Sequence, residues 1–204
     1  MAIPSYTYEQ IASELQTGDL LFCHGIVKGS ERIEKLEDCE WSHVAMVVRL
    51  DAEDILIWES TSADNLQDVR FHDTAPGPQL VRLIDRISTD VSNDTDTFFG
   101  IRKLNAERTP EMLKAMSAFF EDVYDAEFPS TARMYAEVLA GKVGIKTSYK
   151  DFFCSKLLAA TYAQMGLLTG DRPPNNYEPK DFTPAGNVVL TGEAALGDCC
   201  FIKV

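Results

Sequence analysis

A chain of 204 residues, 45% apolar and 25% charged, has the composition of a soluble globular protein and the length for one domain spanning 1–204 with a full core. Thirty-two acidic residues against nineteen basic ones give a formal charge of −13, which repels phosphate backbones and anionic lipid surfaces, so nucleic acid is not an expected partner. No apolar run approaches the roughly 20 residues that cross a bilayer, which speaks against a membrane span.

The opening MAIPSYTYEQIASEL lacks the basic-then-apolar layout of a secretory leader, so a cytoplasmic location is expected, although a processed secreted chain would read the same. Residues 8–15 suit a short helix, and the turn TGD then launches the apolar run Leu20–Cys23 as a strand. Residues 30–38, SERIEKLED, open on a serine cap and read as a short solvated helix. SHVAMVVRL and DILIWEST follow, separated by the polar turn DAED, and their lengths predict an antiparallel hairpin.

Residues 61–77 read as a polar loop, with strands near 79–84 and 97–104 and an exposed loop, STDVSNDTDT, between them. At Thr109 the period changes. Thr-Pro-Glu starts a helix whose Met112, Met116, Phe119, Phe120 and Val123 share one face. Further helices are expected over 131–140 and 151–165, and the tail holds the proline-rich RPPNNYEPKDFTP and a short apolar run at 188–190. Strands first and helices later give an α+β class.

Five cysteines, Cys23, Cys39, Cys154, Cys199 and Cys200, form no C-x-x-C pair and are odd in number. They read as free thiols in a reducing compartment, with no structural zinc and no cofactor implied. Cys154, in DFFCSKLL, falls in the first turn of the last expected helix, beside a buried stripe of Phe153, Leu157, Leu158, Thr161 and Met165. Unpaired N–H groups and the helix dipole favour a thiolate there and can hold an oxyanion; Asp151 is the expected cap, and Lys156 adds positive charge. Taken alone, the position suits an inert core cysteine better, since most cysteines are buried and unreactive.

A thiol nucleophile needs a base, and the chain has three histidines. His43 opens the strand in WSHVAMVV, His24 follows the first strand, and His72 sits in a polar loop. Glu59 ends the apolar strand of LIWEST, an expensive place for a carboxylate unless it is paired or wet. A hairpin turning near residue 52 makes positions 43 and 59 cross-strand neighbours, so the two side chains can touch; otherwise Glu59 simply emerges into solvent. Cys23 and His24 form a rival pair, but as neighbours on a strand they point to opposite faces. A metal site from His24, His43 and Cys23 needs three residues to converge that the strands separate.

GDLLF, WSHVAMVV, IWES and FFCSKLLAATYAQMGL together resemble the circularly permuted NlpC-like branch of the papain fold, especially the YiiX/YebB-like cysteine hydrolases. In that branch the histidine precedes the cysteine, as it does here. The resemblance covers most of residues 17–168 in layout and implies a cysteine nucleophile at a helix N-terminus packed on an antiparallel sheet. By motif it matches Cys154 to the nucleophile, His43 to the base and Glu59 to the third member of a triad. It implies a thioester route to cleavage of an amide, peptide-like or ester bond, with a peptide-like or acyl-lipid substrate and neither metal nor cofactor.

The lecithin:retinol acyltransferase-like branch, which tends to use a second histidine and a membrane anchor, fits less well. A catalytically inactive papain-like binding module is the alternative of another class. Trp41 and Ser42 precede the base and are candidates for the cleft wall, and Tyr149 is a candidate oxyanion donor; core, local and solvent-facing roles suit them as well. Neither oligomeric state nor substrate identity is legible in the sequence.

Overall fold

The computed structural model describes residues 4–24, 40–50, 54–93, 97–186 and 188–203. The helix expected at 30–38 and Cys39 lie outside these residues. In chain order the elements are β1 (Ser5–Thr7), α1 (Tyr8–Ala12), β2 (Leu20–Cys23), β3 (His43–Arg49), β4 (Ile55–Thr61), β5 (Gly77–Arg82) and α2 (Leu83–Asn93). Then follow β6 (Phe99–Asn105), α3 (Pro110–Asp122), α4 (Thr131–Lys142), α5 (Cys154–Gln164), two 3₁₀ turns (Pro174–Asn176 and Pro179–Phe182) and β7 (Ala195–Lys203). The class is α+β.

The seven strands form one sheet in the order β1-β7-β6-β2-β3-β4-β5, antiparallel except for the β1–β7 pair. Alternation along each strand divides the core in two. Leu20, Phe22, Val44, Met46, Val48, Leu56, Trp58 and Leu80 pack with Leu157 and Leu158 of α5 and Met116, Phe119 and Phe120 of α3. Leu21, Cys23, Ala45, Val47, Ile57, Val81, Phe99 and Ile101 pack with Ile11 of α1 and with Leu83 and Ile87 of α2. Cover on both faces explains why β2 and β3 read as unbroken apolar runs rather than as alternating strands.

Three expectations change. Residues 83–93 form a helix where the polar composition of 88–97 suggested a loop, because Leu83 and Ile87 are held by the second core. The nine-residue β7 runs beside β6, although Gly197, Asp198 and the doubled cysteine obscure its period. Helix α5 starts at Cys154 rather than at 151, and it is buried on nearly all sides from Ser155 to Tyr162 instead of along one stripe. It is wedged between the sheet and the proline-rich tail: Trp58 Nε1 donates to Thr161 Oγ1 at 3.0 Å, Tyr162 donates to the Gly18 carbonyl at 2.5 Å, and Ser155 donates to the Tyr177 carbonyl at 2.8 Å. A helix enclosed in this way presents its first turn in a fixed position.

Candidate active site

The chain enters α5 through Phe152, whose carbonyl accepts from Ser60 of β4 at 2.6 Å, and Phe153, which stands in extended geometry at the N-cap with no side-chain cap hydrogen bond. Asp151 is therefore not the cap. It is buried and engages Arg133 at 2.5 Å and Lys156 at 3.3 Å. Lys156 is fully buried, bonded also to Glu137 at 2.6 Å and to the Ser148 carbonyl at 2.8 Å, so its charge is neutralised within the fold instead of acting on the thiol. No side chain caps the first turn, so its backbone N–H groups have no partner from a cap.

His43 is the first residue of β3 and is 5% exposed. The pairing Met46↔Trp58 sets Glu59 opposite Ala45, so His43 and Glu59 meet diagonally rather than directly across the hairpin. Their shared parity keeps both on one face, and diagonal neighbours about 7–8 Å apart are within reach of long side chains. His43 Nε2 lies 2.8 Å from Glu59 Oε2. On its other side the ring is close enough to Cys154 for the thiol to influence its titration. Three residues from two strands and a helix thus form one chain of contacts.

Burial disfavours a charged imidazole, but the adjoining Cys154 and Glu59 outweigh it and raise His43 from 6.5 to about 9. Burial also opposes ionisation of Glu59, which is 1% exposed, yet Arg86 and then His43 hold it down at about 2. Arg86 and Gln79 are the residues that sequence reasoning missed. Glu59 Oε1 accepts from Gln79 Nε2 at 2.8 Å, from Arg86 Nε at 3.0 Å and also from Arg86 Nη2, leaving Oε2 for the imidazole. Arg86 itself is 1% exposed. The available signal was Glu59, since a carboxylate in an apolar strand demands a counter-charge, but nothing in the sequence said which cation supplies it.

A cavity of about 350 Å³ opens at Cys154. Ser42, Phe153 and Ser155 form its inner wall, Met134, Tyr135, Val138 and Leu139 of α4 its apolar side, and Lys142, Glu178 and Pro179 its rim. Ser42 lines it, with its hydroxyl donating to the Cys23 carbonyl at 3.3 Å. Trp41 does not. Its ring is buried among Phe22, Phe98 and Phe201 at 5.1–5.9 Å and lies so close to Gly100 that a Cβ there would approach to 2.8 Å. Gly100→Ala is expected to overpack this cluster and cost about 1–3 kcal/mol, measured by urea unfolding. Tyr149 also stands outside the cavity, packed between Phe119 and Phe152. Of the rival pair, Cys23 is fully buried in the second core, and His24 stacks on Phe98 with Nδ1 against the Glu40 carbonyl.

No protein-family profile and no curated protein matches the chain. Among solved structures, the metalloprotein YiiX of Escherichia coli O157:H7 is similar, with a TM-score of 0.51 and 14% identity over 74% of this chain and 66% of that one. At this identity the likeness concerns the fold alone, and the matched part falls just short of two thirds of YiiX.

Proposed function

We propose that the protein is a cysteine hydrolase of the circularly permuted papain-like type, cleaving an amide, peptide-like or ester bond through a thioester. The observation that carries this reading is the placing of the His43 ring between Glu59, 2.8 Å away, and Cys154, the member of the three that lines the cavity. The chain order, with His43 before Glu59 and Cys154 last, supports the permuted arrangement.

In the proposed route His43 already carries the proton at neutral pH, Cys154 reacts as the thiolate of a thiolate–imidazolium pair, and the thiolate attacks the substrate carbonyl. The resulting oxyanion accepts from the Cys154 N–H at the start of α5. As the tetrahedral adduct collapses, the imidazolium returns the proton to the departing nitrogen or oxygen, leaving a thioester. Water then gives a proton to His43 and its hydroxide attacks the thioester; the sulfur departs as the thiolate, restoring the pair with the imidazolium. The net change is one water added across the scissile bond. Glu59 accepts the Nε2–H throughout and stabilises the charged ring, while Arg86 and Gln79 act as positioning residues on its other oxygen. Acid–base transfer by His43 contributes about 10²–10⁴-fold.

YiiX is described as a metalloprotein. Among the described residues here, no group of three or more His, Cys, Asp or Glu is placed to hold a metal ion, and no step is routed through one. A lipid-directed variant of the reading, with acyl transfer or ester hydrolysis, is favoured by one feature: the wall of Met134, Tyr135, Val138 and Leu139, which suits an apolar acyl group.

Thiol alkylation tests the reading without a substrate. Cys23 is fully buried, and burial pushes Cys199 up to about 11 and also raises Cys200. Cys154 is therefore expected to react with iodoacetamide near pH 6 far faster than these thiols, and to lose that advantage in His43→Ala. Equal rates for Cys154 and Cys200 at that pH would sink the proposal. Once a substrate is found, kcat/KM should fall above pH about 9 as His43 loses its proton. The same shift bears on stability. Raised above its unfolded value of 6.5, His43 contributes fully below that pH, and the contribution is lost as pH rises through about 9.

A further inference from the structure

Large apolar side chains are exposed at nine described positions, and four of these, Tyr135, Leu139, Val143 and Ile145, fall within α4 and the turn that follows it. Positions 132, 135, 136, 139 and 143 recur at helical spacing and are all exposed and all apolar. Leu139 is 64% and Val143 73% exposed, so this is an outward ridge with no cover in the fold. It is continuous with the candidate active site, because Tyr135 and Leu139 belong both to the ridge and to the cavity wall.

The local charge runs against that of the whole molecule. In a chain with 32 acids and 19 bases, residues 131–150 hold Arg133, Lys142, Lys146 and Lys150 against the single acid Glu137. Arg133 is paired with Glu137 and with Asp151, so the basic character of this surface comes from its lysines. Lys142 and Lys180 both reach Glu178 at the cavity rim, at 3.3 and 2.9 Å. Lys146 is exposed, its ammonium 4.9 Å from the Tyr149 ring.

We propose that the outer face of α4, continued through Val143, Ile145 and Lys146, docks on an anionic lipid surface and presents the cavity mouth to it. Apolar side chains that enter the headgroup region beside lysines that meet anionic headgroups are the two terms that hold a helix in a membrane interface. No described helix is long and apolar enough to cross a membrane, so the contact is peripheral. A second copy of this chain fits less well, because a two-fold contact would bring together two copies of the same lysine-bearing patch. Docking stands without the hydrolase reading; the corollary that an acyl group passes from the bilayer to Cys154 along the apolar wall rests on it.

Cosedimentation decides the matter, using vesicles of phosphatidylcholine alone and vesicles with about one quarter phosphatidylserine. The protein is expected to bind the anionic vesicles in preference and to be released by salt. Val143→Asp combined with Ile145→Asp should weaken binding roughly tenfold or more, and Lys146→Glu should reduce the preference for phosphatidylserine. Alkylation of Cys154 should stay unchanged in all these variants, which shows that they are folded and separates this question from the hydrolase reading. Protein that remains in the supernatant, or variants that bind as well as the parent, would overturn the proposal. So would self-association, detected by sedimentation velocity without vesicles, that the same substitutions abolish.

Discussion

Cys154→Ala is expected to abolish turnover while leaving the fold intact. The side chain is half-buried at the first position of α5, and the helix is anchored by Ser155, Thr161 and Tyr162 rather than by the thiol. Loss of the nucleophile should lower kcat by about 10⁴-fold or more, because the oxyanion donors and the cavity that remain cannot form the thioester. The thermal midpoint should move by no more than a few degrees. Cys154→Ser separates chemistry from packing: it keeps the volume and supplies a far poorer nucleophile, so it should be nearly as inactive. Full activity in Cys154→Ala on any substrate the parent cleaves would remove the basis of the mechanism.

Arg86→Met is the substitution with the largest expected cost in stability. It leaves the Glu59 carboxylate, 1% exposed, without the guanidinium on its Oε1 and with the His43 ring as its remaining ionic partner. Breaking a buried pair from one side costs about 3–5 kcal/mol, which for a chain of this size lowers the melting temperature by roughly 6–20 °C. The sign of the pH dependence follows from Glu59, whose folded value of about 2 lies below its ordinary 4.5. In the parent its contribution is present above pH 4.5 and is lost as pH falls through about 2. The deficit of the variant should therefore narrow as pH is lowered from neutral, since the orphaned carboxyl can take up a proton.

Combining Arg86→Met with Glu59→Gln should recover part of the lost stability, as expected when the penalty comes from an unpaired charge rather than from lost packing. Activity gives the second readout. If Arg86 holds Glu59 for His43, Arg86→Met lowers kcat and moves the alkaline limb of the pH profile down from about 9, whereas Arg86→Lys restores the limb in part. A stability loss with an unchanged limb would make Arg86 a structural residue only.

The strands β2, β3 and β4 were legible because unbroken runs such as LLFC and HVAMVV have few other fates in a chain of this composition. The approach of His43 to Glu59 followed from the hairpin, although the diagonal register was not legible: it depends on a turn between Arg49 and Ile55 whose geometry the residues do not announce. Helix α2 was misread because Ser, Thr, Asp and Asn favour turns in isolation. It is Leu83 and Ile87 in the second core that make those residues helical. Asp151 and Lys156 were assigned local roles at a helix start, whereas each is engaged by a distant partner, Arg133 and Glu137 respectively.

The sequence by itself determined the α+β class, the strand that carries His43, the helix start that carries Cys154, and the need of Glu59 for a partner. These are local matters of apolar period, cap chemistry and the cost of burying charge, and all are readable within a dozen residues. Only the tertiary structure decided that Arg86, 27 positions further on, supplies the counter-charge, that Trp41 and Tyr149 are packing residues, and that α4 turns an apolar ridge outward beside the cavity. Those outcomes depend on which surfaces meet once the sheet is covered on both faces. That choice is made by packing among residues far apart in the chain, which local pattern does not encode.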